Sequence, residues 1–171
     1  LNNALVGLDY DGDGVVDSAT VRTDANGAYS ISTTQKTYTV IAVTDESTVD
    51  TSSGTVLSGV TLKAPEGATV ITPTTTLMKE GNLTVEQVAS VLGLPDGVDP
   101  LTFNPYADGV SASDALAVEK ASQQIMSVVT AFASAAEGAG ATEAVAYTAA
   151  INSIVEVVKT KAASSETLDL T

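Results

Sequence analysis

The chain has 171 residues, 44% of them hydrophobic, with 21 acidic residues against 7 basic ones and a formal net charge of −14. Such a chain has no basic face with which to neutralise phosphates, which argues against a nucleic-acid partner and against contact with an anionic membrane surface. Histidine and cysteine are both absent, which removes Cys/His zinc sites, thiol nucleophiles, the Ser-His-Asp triad, imidazole bases and disulfides together.

The length allows one or two small domains with real cores. No stretch approaches the roughly 20 continuous apolar residues that cross a bilayer, so no membrane insertion is expected. Leu1 falls in the middle of a pattern rather than at a start, as in a fragment of a longer chain.

In chain order, residues 1–72 are rich in Val, Ile, Thr, Tyr and Gly, with turn signals every several residues. Residues 4–8 read as a short apolar strand leading into an acidic loop. Thr23-Asp24-Ala25-Asn26-Gly27 reads as a turn, with Asn26 and Gly27 supplying the residues that tolerate positive φ. Residues 28–32 alternate, Tyr29 and Ile31 against Ser30 and Ser32, as a strand does. Residues 38–43, 56–63 and 68–72 are further strand candidates. Several short strands with polar turns suggest a β-sandwich rather than a parallel sheet.

The pattern switches to helix at Thr72-Pro73, because the residue before proline avoids helical geometry. Thr84-Val85-Glu86-Gln87 has the form of a capping box, and Gly93 suits a left-handed C-cap. Residues 95–105 read as a loop. A long helix capped by Ser111 or Ser113 should then reach about Glu137, with Val118, Ala121, Ile125, Val128, Val129 and Phe132 as its apolar stripe. Gly138-Ala139-Gly140 breaks it, and Thr142 opens a last helix striped by Tyr147, Ile151, Ile154, Val155 and Val158. Two amphipathic helices joined by so short a break should pack as an antiparallel pair. The tail from Ser164 is polar, although Leu168 and Leu170 could continue into a following module. The fold class expected is α+β, an N-terminal antiparallel β-sandwich-like part over residues 1–72 and a helical part over residues 73–171.

The chemistry is concentrated in Leu8-Asp9-Tyr10-Asp11-Gly12-Asp13-Gly14-Val15-Val16-Asp17. Asp9, Asp11, Asp13 and Asp17 stand at places 1, 3, 5 and 9 of one loop, and like charges so close repel one another unless a cation sits among them. Hard oxygens at alternate positions suit Ca2+. The first half of the loop fits the EF-hand formula, with Gly14 at its sixth place. Its twelfth place is Thr20, where that formula requires a bidentate Glu, and a strand-like segment precedes the loop. The expected ligands are the side chains of Asp9, Asp11, Asp13 and Asp17 and the carbonyl of Val15. The alternative is a solvated acidic turn.

Other acidic groups read more plainly. Asp24 with Asn26 reads as a type I′-like turn, and Asp45, Glu46 and Asp50 as a solvated loop. Asp96, Asp99, Asn104 and Asp108 either gather oxygens at one point or serve turn chemistry between prolines. For catalysis, tryptophan is absent and aromatic content is 4%, which leaves few sugar-stacking platforms for a carboxylate-pair glycosidase. Ser113, Lys120 and Ser122 read as a solvated helix face rather than a Ser-Lys dyad.

Leu5 to Asp17, followed by Thr23-Asp24-Ala25-Asn26-Gly27-Ala28-Tyr29-Ser30-Ile31, resembles the B-type repeats of bacterial surface adhesins, which are transthyretin-like or collagen-adhesin-B-like β-sandwiches opening on an acidic calcium loop. The resemblance covers about the first 32 residues. It implies calcium ligands at Asp9, Asp11, Asp13 and Asp17, and no isopeptide cross-link, because no lysine precedes the loop. Val70-Ile71-Thr72-Pro73-Thr74-Thr75-Thr76-Leu77 and Leu92-Gly93-Leu94-Pro95 more loosely resemble a unit of very large calcium-dependent secreted proteins, including RTX-type adhesins. The Asp99-Pro100 dipeptide alone resembles the cleavage point of calcium-triggered self-processing modules.

These features together lead to the expectation of a non-enzymatic, calcium-stabilised extender module of an extracellular or cell-surface bacterial adhesin, partnered by neighbouring domains of the same long chain. The alternative is a calcium-dependent peptide- or glycan-binding module of such an adhesin.

Overall fold

The computed structural model describes residues 1–168, an α+β chain of antiparallel strands followed by helices. The strands are β1 (Leu5–Asp9), β2 (Val21–Arg22), β3 (Thr39–Val43), β4 (Val49–Asp50), β5 (Thr55–Val56) and β6 (Thr61–Pro65). They form a four-stranded sheet in the order β2-β1-β3-β6 and a two-stranded ribbon of β4 and β5.

Register explains which side chains are buried together. Val6 lies opposite Ala42, itself opposite Leu62, while Leu8 lies opposite Val40 and that residue opposite Ala64. Side chains alternate along a strand, so these six share one face, and all are buried in one cluster with residues of the helices.

The helices are α1 (Pro73–Gly81), α2 (Val85–Leu92), α3 (Ala112–Gly138) and α4 (Glu143–Ser164). Their limits follow local chemistry. Thr72 caps α1, accepting from the Thr75 N–H, and Pro73 occupies the first turn, where its missing N–H costs nothing. Thr84 and Gln87 form a reciprocal capping box on α2, and Gly93 closes that helix with φ 62°. Ser111 stands at the N-cap of α3, but its hydroxyl meets Ser113 Oγ instead of a helix N–H. The chain reverses over residues 139–142, so α4 runs back along α3.

Leu77 and Met78 of α1, Val88 and Val91 of α2, Ile125 and Val129 of α3, and Ile151, Ile154, Val155 and Val158 of α4 complete the buried cluster begun by the sheet. Burial of each large aliphatic side chain contributes about 1.5–3 kcal/mol, which makes this shared interior the main source of stability. α1 also protects the sheet's outer edge. The Lys63 N–H on β6 donates to Thr76 Oγ1 at 2.9 Å, and the Thr75 hydroxyl donates to the Lys63 carbonyl at 2.9 Å. An edge strand whose backbone is paired in this way cannot recruit another chain there.

Several sequence expectations are corrected. Residues 28–32 form no strand, since among the described residues no segment pairs with them in a sheet. Residues 68–72 form none either, because the Thr69 and Val70 N–H groups both go to the Leu101 carbonyl and Thr72 serves as a helix cap. The expected strand over residues 56–63 is split between β5 and β6 by Gly59, whose φ of 71° lies in the left-handed region.

Phe132 is 55% exposed while its neighbour Ala133 is buried. The buried side of α3 therefore drifts around the helix towards its C-terminal end, as a 3.6-residue period allows. The α4 stripe is buried at all five expected positions. In the tail, the Leu168 N–H bonds the Val91 carbonyl at 2.7 Å; Leu170 lies outside the described residues. Among the described residues, no helix is long and apolar enough to cross a membrane.

Candidate metal centre

The acidic loop leaves the end of β1 and returns beside it. The Leu8 carbonyl accepts the N–H groups of Asp17 and Ser18, at 2.9 and 3.1 Å, and the Leu8 N–H donates to Ser18 Oγ at 2.8 Å. These bonds pin both ends of the loop to one residue of the sheet. Val16 then folds over the sheet face opposite the main core, at Gly7, where an added Cβ would overlap Val16 Cγ1 and lie 3.3 Å from Thr20 Cγ2. Only glycine allows so close an approach to the strand.

Within the loop the carboxylates first organise the backbone. Asp9, 2% exposed, accepts from the Gly12 N–H at 2.7 Å and from the Gly14 N–H at 3.0 Å. Both glycines have positive φ, 83° and 87°, which turns their N–H groups inward. Asp17 Oδ2 accepts the Tyr10 N–H at 2.8 Å, Asp11 Oδ1 the Asp13 N–H at 3.1 Å, and Asp13 Oδ1 the Val15 N–H at 2.7 Å.

Asp9, Asp11 and Asp17 each bring a carboxylate oxygen within 4.8 Å of the others, an arrangement that could hold a metal ion. Asp13 is not part of that trio, and Val15 is 62% exposed at the loop's tip. Among the described residues no lysine or arginine forms an ion pair with any of these four aspartates. The Lys63 ammonium lies 3.7 Å from where a Cβ on Gly14 would stand, and it pairs with Glu80 of α1 at 2.6 Å. The donor set is three carboxylates with no soft ligand, which suits a hard cation.

Several other acidic groups are occupied locally. Asp24 accepts the N–H groups of Asn26 and Ala28 through Oδ1, and Gly27 N–H bonds the Asp24 carbonyl. Asn26 has negative φ and Gly27 has φ 77°, so the turn is not the I′-like form expected from sequence. Asp99 and Asn104 cap the backbone of Leu101 and Tyr106 in the same way, which is the turn use of that loop's oxygens.

Asp45 pairs with Arg22 at 2.7 Å. The Arg22 guanidinium, followed by the hydroxyl and N–H of Ser47, holds the Asp45 carboxyl well below the usual carboxylate range. A depressed carboxyl adds stability above its unfolded pKa and loses it as pH falls through the lower folded value. Arg22→Ala is therefore expected to destabilise slightly at neutral pH, by an amount that shrinks in strong acid. Urea unfolding of both proteins across that range checks this.

Sequence reading found the aspartates but missed the residues that seat them. Ser18, Gly7 and Val16 fix the loop on the sheet; a glycine inside an apolar strand is the one signal that pointed to a close approach.

Comparison with protein-family models, with curated proteins and with solved structures gives no match.

Proposed function

We propose that the chain is a non-enzymatic structural module of a bacterial cell-surface or secreted adhesin, stiffened by calcium in the acidic loop and joined to neighbouring domains of a longer protein. The convergence of Asp9, Asp11 and Asp17 carries this reading, because three carboxylates drawn together without a lysine or arginine partner call for a divalent counter-ion. Asp9, Asp11 and Asp17 would hold the ion, and the spacing adds Asp13 and the Val15 carbonyl as further oxygen donors. Calcium would supply charge neutralisation and a cross-link between the two ends of the loop. The adhesin assignment rests on the resemblance of residues 5–31 to B-type repeats.

Because a metal that binds only the folded state adds its binding energy to stability, thermal melting tests the reading. Extracellular calcium modules bind at about 10⁻⁴–10⁻³ M, so about 10 mM calcium should add about 1.4–2.7 kcal/mol relative to excess chelator. For a chain of this size that is a rise of several degrees in Tm. Magnesium, which gives up its water shell reluctantly, should give less. Equal midpoints in calcium and in chelator would sink the proposal.

A further inference from the structure

Three of the chain's five tyrosines gather at one end of the sheet. Tyr10 follows β1 and Tyr38 precedes β3, and the register sets Asp9 opposite Thr39, so both stand at the same end. Tyr29 joins Tyr38 in lining a cleft of about 280 Å³, together with Leu8 and Val40 of the sheet. Ser30, Thr33 and Thr69 add hydroxyl-bearing side chains to that lining. Thr33 also borders a second hollow, which reaches Tyr10.

Two properties of the lining select a ligand. No charged residue lines either hollow, although the whole chain carries a formal net charge of −14. An anion is repelled by that charge, and a cation finds no carboxylate in the wall. The second property is a surplus of uncommitted hydrogen-bonding groups. Among the described residues, the hydroxyls of Tyr10, Tyr29, Tyr38, Ser30 and Thr69 have no partner within the chain, and neither do the N–H groups and carbonyls of residues 29–32. Elsewhere threonine hydroxyls are committed to the backbone, as at Thr44, Thr75 and Thr76. Burial, and then the neighbouring Tyr38, raise the pKa of the Tyr29 hydroxyl above its ordinary value, so at neutral pH it can both donate and accept.

Groups that donate and accept, beside aromatic rings with apolar faces, match a molecule of the same double character. A neutral sugar ring has it, with hydroxyls around its edge and C–H groups on its faces. The cleft lies just under the roughly 300 Å³ at which small-molecule sites begin, which limits the buried part of the ligand to one ring. Its walls are set before binding. Ala28 is held to Asp24 through both its N–H and its carbonyl, and the Thr69 N–H is bonded to the Leu101 carbonyl, which keeps the cost of ordering low.

We propose that the cleft lined by Tyr29, Tyr38 and Thr69 binds one ring of a neutral saccharide, independently of metal in the acidic loop. The test titrates the whole isotope-labelled chain with methyl glycosides of glucose, galactose, mannose and N-acetylglucosamine, in calcium and again in chelator. Glucuronate supplies a charged ring, and sorbitol supplies hydroxyls without a ring. At least one neutral glycoside should shift the amides of Tyr29 to Thr33, Tyr38 and Thr69 saturably, with a Kd on the order of 1 mM for so small a ligand. Thr69→Val removes an exposed hydroxyl, and Tyr29→Leu removes a ring face but keeps apolar bulk. Each should weaken that binding about threefold to tenfold.

No shift at those amides from any of the glycosides at about ten times that concentration overturns the proposal. So does equally tight binding of sorbitol or glucuronate, or binding unchanged in both variants. Binding that vanishes in chelator puts the sugar on the acidic loop and overturns this site. The calcium rise in Tm is read separately, so failure here leaves the calcium reading standing.

Discussion

Leu77→Ala is expected to lower the free energy of unfolding by about 2–5 kcal/mol, the range for emptying a fully buried leucine site. Leu77 has no exposed surface and belongs to the cluster that holds Leu62 and Ala64 of the sheet together with Val88, Ile125 and Ile151 of the helices. The loss has two parts, the transfer energy of the missing methyl groups and the contacts their neighbours lose around the void. At this chain length it corresponds to a fall in Tm on the order of 10 °C. Because one interior is shared, the sheet and the helices should melt together. Far-UV circular dichroism reports mainly the helices, and tyrosine emission reports five residues, of which Tyr10, Tyr29 and Tyr38 lie in the β part. Coincident transitions in both proteins are the expected result. Two separated transitions in the variant, or a cost below about 1 kcal/mol, would show that α1 is not the joint between the layers.

The second large effect is expected at Gly7. A methyl group there overlaps Val16, a β-branched side chain with little rotamer freedom, so the loop rather than the rotamer has to move. Gly7→Ala should cost about 1–3 kcal/mol by overpacking. It should also reduce the rise in Tm that calcium produces, because lifting Val16 disturbs Asp17 beside it. Adding Val16→Ala should restore most of both losses, with a coupling of about 0.5–3 kcal/mol between the two positions. The measurement is a double-mutant cycle run in calcium and again in chelator. If Gly7→Ala keeps the full calcium response, the seat of the loop on β1 does not govern the site.

The helical half was largely legible because its signals are local. The Thr84/Gln87 capping box, the Gly93 C-cap and the α4 stripe each depend on residues within a turn or two of one another, and each is found where the spacing places it. The acidic loop was legible for the same reason, its carboxylates and glycines lying within nine consecutive places. The β half was less so. Residues 28–32 and 68–72 have strand-like composition, yet strand formation needs a neighbour, and composition does not say whether one is near. Phe132 has the right helical spacing for the core, but whether a position on that stripe is covered depends on where the packed elements end.

What the chain determined by itself is therefore a set of short-range facts: helix limits, the turn at Asp24, the acidic loop, and the strands near residues 4–8 and 38–43. The tertiary structure alone decided that Asp9, Asp11 and Asp17 converge while Asp13 stands apart, that Thr75 and Thr76 close the edge of β6, and that residues 29–32 go unpaired. The physical reason is that helices and caps satisfy their backbone groups within a few residues, whereas sheets, edges and convergent side chains draw their partners from distant parts of the sequence.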